Sequence, residues 1–431
     1  MSILSLIPII LLFILLFLRI PVAFSLLIST LVYFLFFNQD LGIQFIIQEV
    51  ISSHESFTYL AIPFFACAGV IFNYAGITRK LMGLADMILG HIKGGMGQVN
   101  VLLSAMMGGL SGSANADAAM QTKVIVPEMS KLGYNKGFST AVTAASAVIT
   151  PILPPGIILI LYAVVANVSI AEMFYAGYLP GLIIASILMI LVYIISKKRN
   201  YAPSREGRAS IKDFIIQFIE SIWALFLPLG ILLGLRLGWF TPTEAGAMCV
   251  VYALIIGFFV YRELKIKHIP MILLESSLAT AGIMIIIGAA NAFGEYLTWE
   301  GIPMQLTELL TSNISNPYVL LIVINILLLI VGCFFEGGAA MILLAPLLVP
   351  IVDSMGINLV YFGILMSINL TIAGITPPFG TMMFITTSIA DISIEEYVKN
   401  IWPFILALIA FLFLLIFFPQ VVTIVPDLLR E

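Results

Sequence analysis

The chain has 431 residues, of which 61% are hydrophobic and 10% charged, against about 25% charged and about 45–50% apolar residues in an ordinary soluble domain. That composition excludes a soluble multidomain protein, and a net charge of −4 with 19 basic residues leaves no basic face for nucleic acid. Charge-free runs at Gly94–Ala116, Gly137–Ala171, Leu309–Phe335, Ser354–Ala390 and Asn400–Pro426 all reach the roughly 20 apolar residues that a membrane-spanning helix needs. The fold class is an all-α polytopic membrane protein in a lipid bilayer.

Met1–Leu18 is apolar with Arg19 behind it, the reverse of a signal peptide's charged start, and reads as a retained helix. Lys and Arg cluster at Arg79–Lys93, Lys123–Lys136, Lys197–Lys212 and Arg262–Lys267, which the positive-inside rule places in the cytoplasm. Threading the apolar runs between them takes helix 3–18 inward, 22–38 outward and 60–76 inward to Arg79. The polar loop Lys197–Lys212 divides the chain, and helices 214–238 and 243–261 then go out and back. This gives about ten crossings plus interrupted segments, with both termini periplasmic. Cys67, Cys249 and Cys333 lie in apolar runs and suit packing, and His54, His91 and His268 lack metal-ligand spacing. Gly230, Gly234 and Gly238 recur every four residues along one predicted helix and suggest close helix packing.

Sliding the chain on itself by 223 residues superposes Gly109 on Gly332, Pro127 on Pro350, Asn135 on Asn358, Pro154-Pro155 on Pro377-Pro378, and Pro180 on Pro403. The chain is therefore a duplicated unit. Residues 1–212 form the first repeat, with a hairpin at about 97–128 and a broken helix at about 137–167; residues 213–431 form the second, with a hairpin at about 318–351 and a broken helix at about 358–388. Residues 79–136 carry six basic side chains and the matching stretch 302–359 carries none, so the repeats are expected to have opposite topologies. Inverted repeats mark many secondary transporters, whose sites lie near the midplane where the copies meet.

Each repeat holds two devices. Gly108–Asp117 and Gly332–Ala339 are too rich in small and polar residues to cross lipid as plain helix, and read as the tips of two re-entrant hairpins. Thr150–Gly156 and Gly374–Thr381 each contain a Pro-Pro pair, which withholds N–H groups from the carbonyls of Thr150, Pro151, Ala373 and Gly374. Released carbonyls are hard oxygen ligands suited to Na⁺. Asp117 and Glu336 are acids at membrane depth beside the tips, each either an ion or proton site or a helix cap, and Ser146 and Asn369 precede the breaks. No phosphate-binding loop is present, and no nucleophile–base pair or HExxH element supports an enzyme.

Gly238–Ala245, Ser111–Ala119 and Gly374–Gly380 resemble the large membrane subunit of TRAP (tripartite ATP-independent periplasmic) transporters, over essentially the whole chain. The resemblance implies an elevator-type, sodium-coupled importer in the bacterial inner membrane, with Na⁺ as coupling ion and no organic cofactor. It also implies a separate small four-helix membrane subunit, a periplasmic substrate-binding protein, and an organic-acid substrate of C4-dicarboxylate or sialic acid type. A self-sufficient carboxylate carrier is the alternative. Carried over by position, the Na⁺ ligands are expected at Ser111, Ser113, Asn115, Thr150, Gly332, Gly337, Gly374 and Thr376, and the substrate at Gly112, Asp117, Pro154, Pro155, Gly338, Pro377 and Pro378.

Overall fold

The computed structural model describes residues 3–18, 20–37, 42–55 and 57–430; Arg19, where the sequence reading turns the first helix, lies outside them. The described residues are helical with short connections. The first half comprises α1 (Ile3–Phe17), α2 (Val22–Phe36), α3 (Gly42–Ser52), α4 (Ala61–Tyr74), α5 (Ile77–Leu89), α6 (Gly95–Ser111), α7 (Ala114–Lys131), α8 (Lys136–Ala147), α9 (Ile157–Val165) and α10 (Ile170–Lys198). The second comprises α11 (Ile211–Arg236), α12 (Pro242–Ile255), α13 (Ile269–Trp299), α14 (Ile302–Asn313), α15 (Pro317–Gly332), α16 (Gly337–Ser354), α17 (Leu359–Ala373), α18 (Thr381–Ala390), α19 (Ile394–Phe417) and α20 (Gln420–Arg430).

The helix starts recur because their caps recur. Asn135 Oδ1 accepts from the Phe138 N–H at the head of α8, and Asn358 Oδ1 accepts from Tyr361 N–H at the head of α17. Ser169 and Ser393 cap α10 and α19 in the same way. Each cap satisfies an amide that the first turn cannot pair internally. Glu244 and Thr241 form a reciprocal capping box at the start of α12. The halves differ where α3, a 3-10 turn and α4 make a bent element; the matching stretch of the second half is the single 31-residue α13. In that bend the His54 ring lies between the carbonyls of Val50 and Met284, so its imidazole ties the bend to α13.

Among the described residues seven helical stretches are long and apolar enough to cross a membrane, and shorter apolar helices, α1, α2 and α15 among them, accompany these. The long apolar runs of the sequence are cut into pieces by the tips and breaks, and α1 and α2 have 15 residues each. The spaced glycines act differently from one another. Gly234 makes room for the Phe240 ring folding back on α11, while Gly238 lies past the helix end at φ +67°, a conformation that favours glycine. Gly238 ends the helix, whereas Gly234, inside α11, is a close-packing position for the returning chain.

The two halves interlock. The second limb of each hairpin packs on the second half of the other copy's broken helix, α7 on α18 and α16 on α9. Around this unit lie α4 against α12, α2 against α13, and α5 against α11.

Candidate functional site

Hairpin one joins α6 to α7 through Gly112 and Ser113, and hairpin two joins α15 to α16 through residues 333–336. Gly112 has φ +58°, and a Cβ there would lie 2.3 Å from the Pro155 carbonyl. Its own carbonyl accepts from Ile157 N–H at 3.2 Å, so the first tip sits directly on the first break. Ser113 Oγ caps α7 by accepting from Ala116 N–H, and at the same place in the second copy Glu336 Oε2 caps α16 by accepting from Ala339 N–H at 3.0 Å. Glu336 is thus a helix cap at the cleft.

The tips and breaks enclose one cleft of about 130 Å³. Its wall is built from the first residues of four half-helices: Ala114 and Asn115 of α7, Ile157 and Ile158 of α9, Gly337 and Gly338 of α16, and Thr381 and Met382 of α18. Helix N-termini carry unpaired N–H groups and roughly half a positive charge each. Thr371 and Gly374 of the second broken helix line the cleft, and Ile283 and Ile286 of α13 close it from the surrounding helices. Asn115 and Thr381 meet across the copies, Thr381 Oγ1 donating to Asn115 Oδ1 at 3.4 Å.

Of the expected ion-site residues, Ser113, Asn115, Gly337 and Gly374 line this cleft, as do Gly112 and Gly338 of the expected substrate set. Ser111 sits beside the tip with its Oγ buried and unpartnered. Thr150 lies deeper, its hydroxyl donating to Asp117 at 2.8 Å. Gly332 packs its Cα side against Ala373 and Leu370. Thr376 is away from the cleft, its hydroxyl donating to the Ile372 carbonyl at 2.8 Å. Pro154 and Pro155 are buried, whereas Pro377 and Pro378 are partly to fully exposed; both Pro-Pro bonds are cis.

Asp117 is 1% exposed and does not face the cleft. Its carboxylate accepts from Ser104 Oγ, Thr150 Oγ1 and Gln121 Nε2, each at 2.8 Å. Those bonds tie α6, α7 and the first break together. Ser146 donates to Asn100 and Asn369 to Asn325, so both polar residues before the breaks pair hairpin with broken helix.

The expectation of four released carbonyls needs correction. No backbone N–H reaches the Thr150 or Pro151 carbonyl among the described residues. In the second copy, however, Ala373 O accepts from Thr376 N–H, and Gly374 O accepts from Met382 N–H at 2.9 Å. The amides at the start of α18 curl back onto the strand of carbonyls before them, because no tip carbonyl reaches them as Gly112 reaches Ile157.

Thr371, Thr381, Ile283 and Ile286 were not singled out from the sequence, nor were Ser104 and Gln121 as partners of Asp117. One signal was available: Gln121 lies four residues after Asp117, one helical turn on.

Residues 9–421 match the family described as "Tripartite ATP-independent periplasmic transporter, DctM component". The chain is 37% identical to the sialic acid TRAP transporter large permease protein SiaM of Vibrio cholerae, over 96% of each chain. It is 33% identical to the C4-dicarboxylate TRAP transporter large permease protein DctM of Pseudomonas aeruginosa, over 91% of each. Its fold resembles that of the Alcanivorax borkumensis YdaH transporter, with a TM-score of 0.63, 13% identity, and coverage of 87% of this chain and 88% of that one. The chain belongs to the DctM family, the large permease component of tripartite ATP-independent periplasmic transporters, and is a multi-pass membrane transporter subunit and not an enzyme.

Proposed function

We propose that the chain carries an organic-acid anion inward across the bacterial inner membrane in symport with Na⁺, receiving it from a periplasmic binding protein and working with a small four-helix membrane subunit. The observation that carries this reading is the meeting of four half-helix N-termini at one cleft. Each contributes up to roughly half a positive charge, offset in part by the Glu336 carboxylate and by the C-terminal ends of α6 and α17 at the same cleft. What remains favours a carboxylate. Sodium fits the oxygen-rich surroundings: the Asn115 and Ser113 side chains at the cleft, the unpartnered Ser111 hydroxyl beside it, and the unpaired carbonyls of Thr150 and Pro151 behind it.

The two hairpins and two broken helices interlock across the copies and would move as one body. The surrounding helices, including α13 with Ile283 and Ile286, would be the scaffold of an elevator. The basic stretches that contain Arg79, Lys136 and Lys197–Lys212 support a cytoplasmic base for the first hairpin and periplasmic termini. For the substrate, a sialic acid and a C4-dicarboxylate both present the carboxylate that the cleft favours.

The test is uptake of labelled acids into proteoliposomes holding this chain and its small partner, with and without an inward Na⁺ gradient and the binding protein. Uptake that needs both supports the tripartite symporter. Na⁺-driven uptake without the binding protein would instead establish a self-sufficient carboxylate carrier, and uptake indifferent to Na⁺ would refute the coupling.

A further inference from the structure

On the outer side of the bundle α10 and α11 frame a second recess, a groove of about 620 Å³ lined by Leu182 of α10 and by Phe218, Ile222 and Leu229 of α11. Its inner wall is formed by Gly109 of the first hairpin and Pro154 of the first break. The four outer residues are all exposed, so the groove opens toward the surrounding medium, which for these helices is lipid. An apolar occupant is required.

The segment that joins the two helices indicates the charge of that occupant. Residues 197–212 carry six basic side chains against one acid, Glu206. Arg199 donates to Asn400 and lies over the Phe138 ring, and Arg205 faces Asp86. Lys197, Lys198, Arg208 and Lys212 are exposed and form no ion pair among the described residues. At 1.5 Å per residue, Phe218 lies roughly 9 Å and Leu229 roughly 26 Å along α11 from Lys212. The groove therefore spans about the depth of one leaflet, half of a hydrocarbon core some 30 Å thick.

We propose that this groove is a binding site for an anionic phospholipid, with the phosphate-bearing headgroup on Lys197, Lys198, Arg208 and Lys212 and an acyl chain between α10 and α11. The apolar groove and the four unpaired cations are independent observations, and both belong to the same two consecutive helices and the segment that joins them. A neutral lipid would fill the groove and leave the cations unpaired, whereas an anionic headgroup satisfies both. The chain end would rest against Pro154 and Gly109, placing bilayer composition in contact with the first break.

Phe218 lines the groove and is exposed, so Phe218→Trp can report the lipid. A variant that carries Phe218→Trp together with Trp223→Phe, Trp239→Phe, Trp299→Phe and Trp402→Phe is reconstituted in phosphatidylcholine bilayers containing a minor fraction of phosphatidylglycerol. Either the one lipid or the other has brominated chains, and quenching reads which lipid occupies the groove. The expected result is an enrichment of phosphatidylglycerol of about threefold or more over the bulk, abolished by Lys197→Gln, Lys198→Gln, Arg208→Gln and Lys212→Gln together. Leu182→Phe, which fills the groove, should reduce quenching by both lipids. Equal quenching by the two lipids, or selectivity unchanged in the fourfold variant, would overturn the proposal. So would loss of the selectivity when the small membrane subunit is present, since protein would then cover the groove.

Discussion

Replacing Gly112 by alanine tests whether the first hairpin tip must seat on the first break. The residue adopts φ +58°, and the new Cβ would meet the Pro155 carbonyl at 2.3 Å and Ile157 N at 3.1 Å. A left-handed conformation costs an L-residue about 1–2 kcal/mol. Both clashing atoms are backbone and cannot swing away, so the tip must lift, and the Gly112 carbonyl then loses its bond to Ile157 N–H, worth about 1 kcal/mol. The seated tip is disfavoured by about 2–3 kcal/mol, roughly 30- to 150-fold in population. Initial uptake rates in proteoliposomes at matched protein content should fall by at least about tenfold. The control is Gly294→Ala in the interior of α13, at a position that does not line the cleft. There a built Cβ meets nothing within 4 Å, and alanine suits a helix better than glycine. Wild-type uptake by Gly112→Ala, or an equal loss in both variants, would refute the steric argument.

Asp117→Ala should strand the Ser104 hydroxyl and leave Thr150 and Gln121 with only their bonds to Ser104, at about 1–3 kcal/mol for a buried group left unpaired; a thermal midpoint in detergent equal to that of the wild type would count against this network. Ser113→Ala removes both a cap worth about 1 kcal/mol and a cleft hydroxyl, and is expected to raise the half-saturating Na⁺ concentration. Thr376→Ala should leave it unchanged, because Thr376 does not line the cleft; titration of uptake against Na⁺ separates the two, and the reverse ranking would refute the assignment. Glu336→Gln keeps an oxygen for the Ala339 amide but removes a negative charge from the cleft. It should lower the KM for the acid and raise the Na⁺ requirement, and shifts in the opposite directions would show that the carboxylate does not face these ligands.

The positions of the helices were legible in the sequence because backbone chemistry is local. Asn135 and Asn358 cap, Gly112 turns, and the two Pro-Pro pairs interrupt, each acting on neighbours a few residues away. The repeat of Asn135 at Asn358 therefore reproduces the start of α8 at α17, and α7 and α16 begin at equivalent positions on different caps, Ser113 and Glu336.

The cleft was only half legible, and the reason is the cross-copy packing. Asn115 meets Thr381 across 266 residues of chain, a contact that no offset between equivalent positions can reveal, because it joins non-equivalent elements: a hairpin limb of one copy and a half-helix of the other. The same asymmetry explains the breaks. In the first copy a tip carbonyl takes the amide at the head of α9, leaving the carbonyls of Thr150 and Pro151 unpaired; in the second, Gly374 O takes the amides at the head of α18 itself. Duplication thus supplies two similar backbones, and packing against different partners makes them chemically unequal. An oxygen-rich, unsatisfied first break and a self-satisfied second one follow from the same Pro-Pro sequence, so the ion ligands of the two copies need not be symmetry mates.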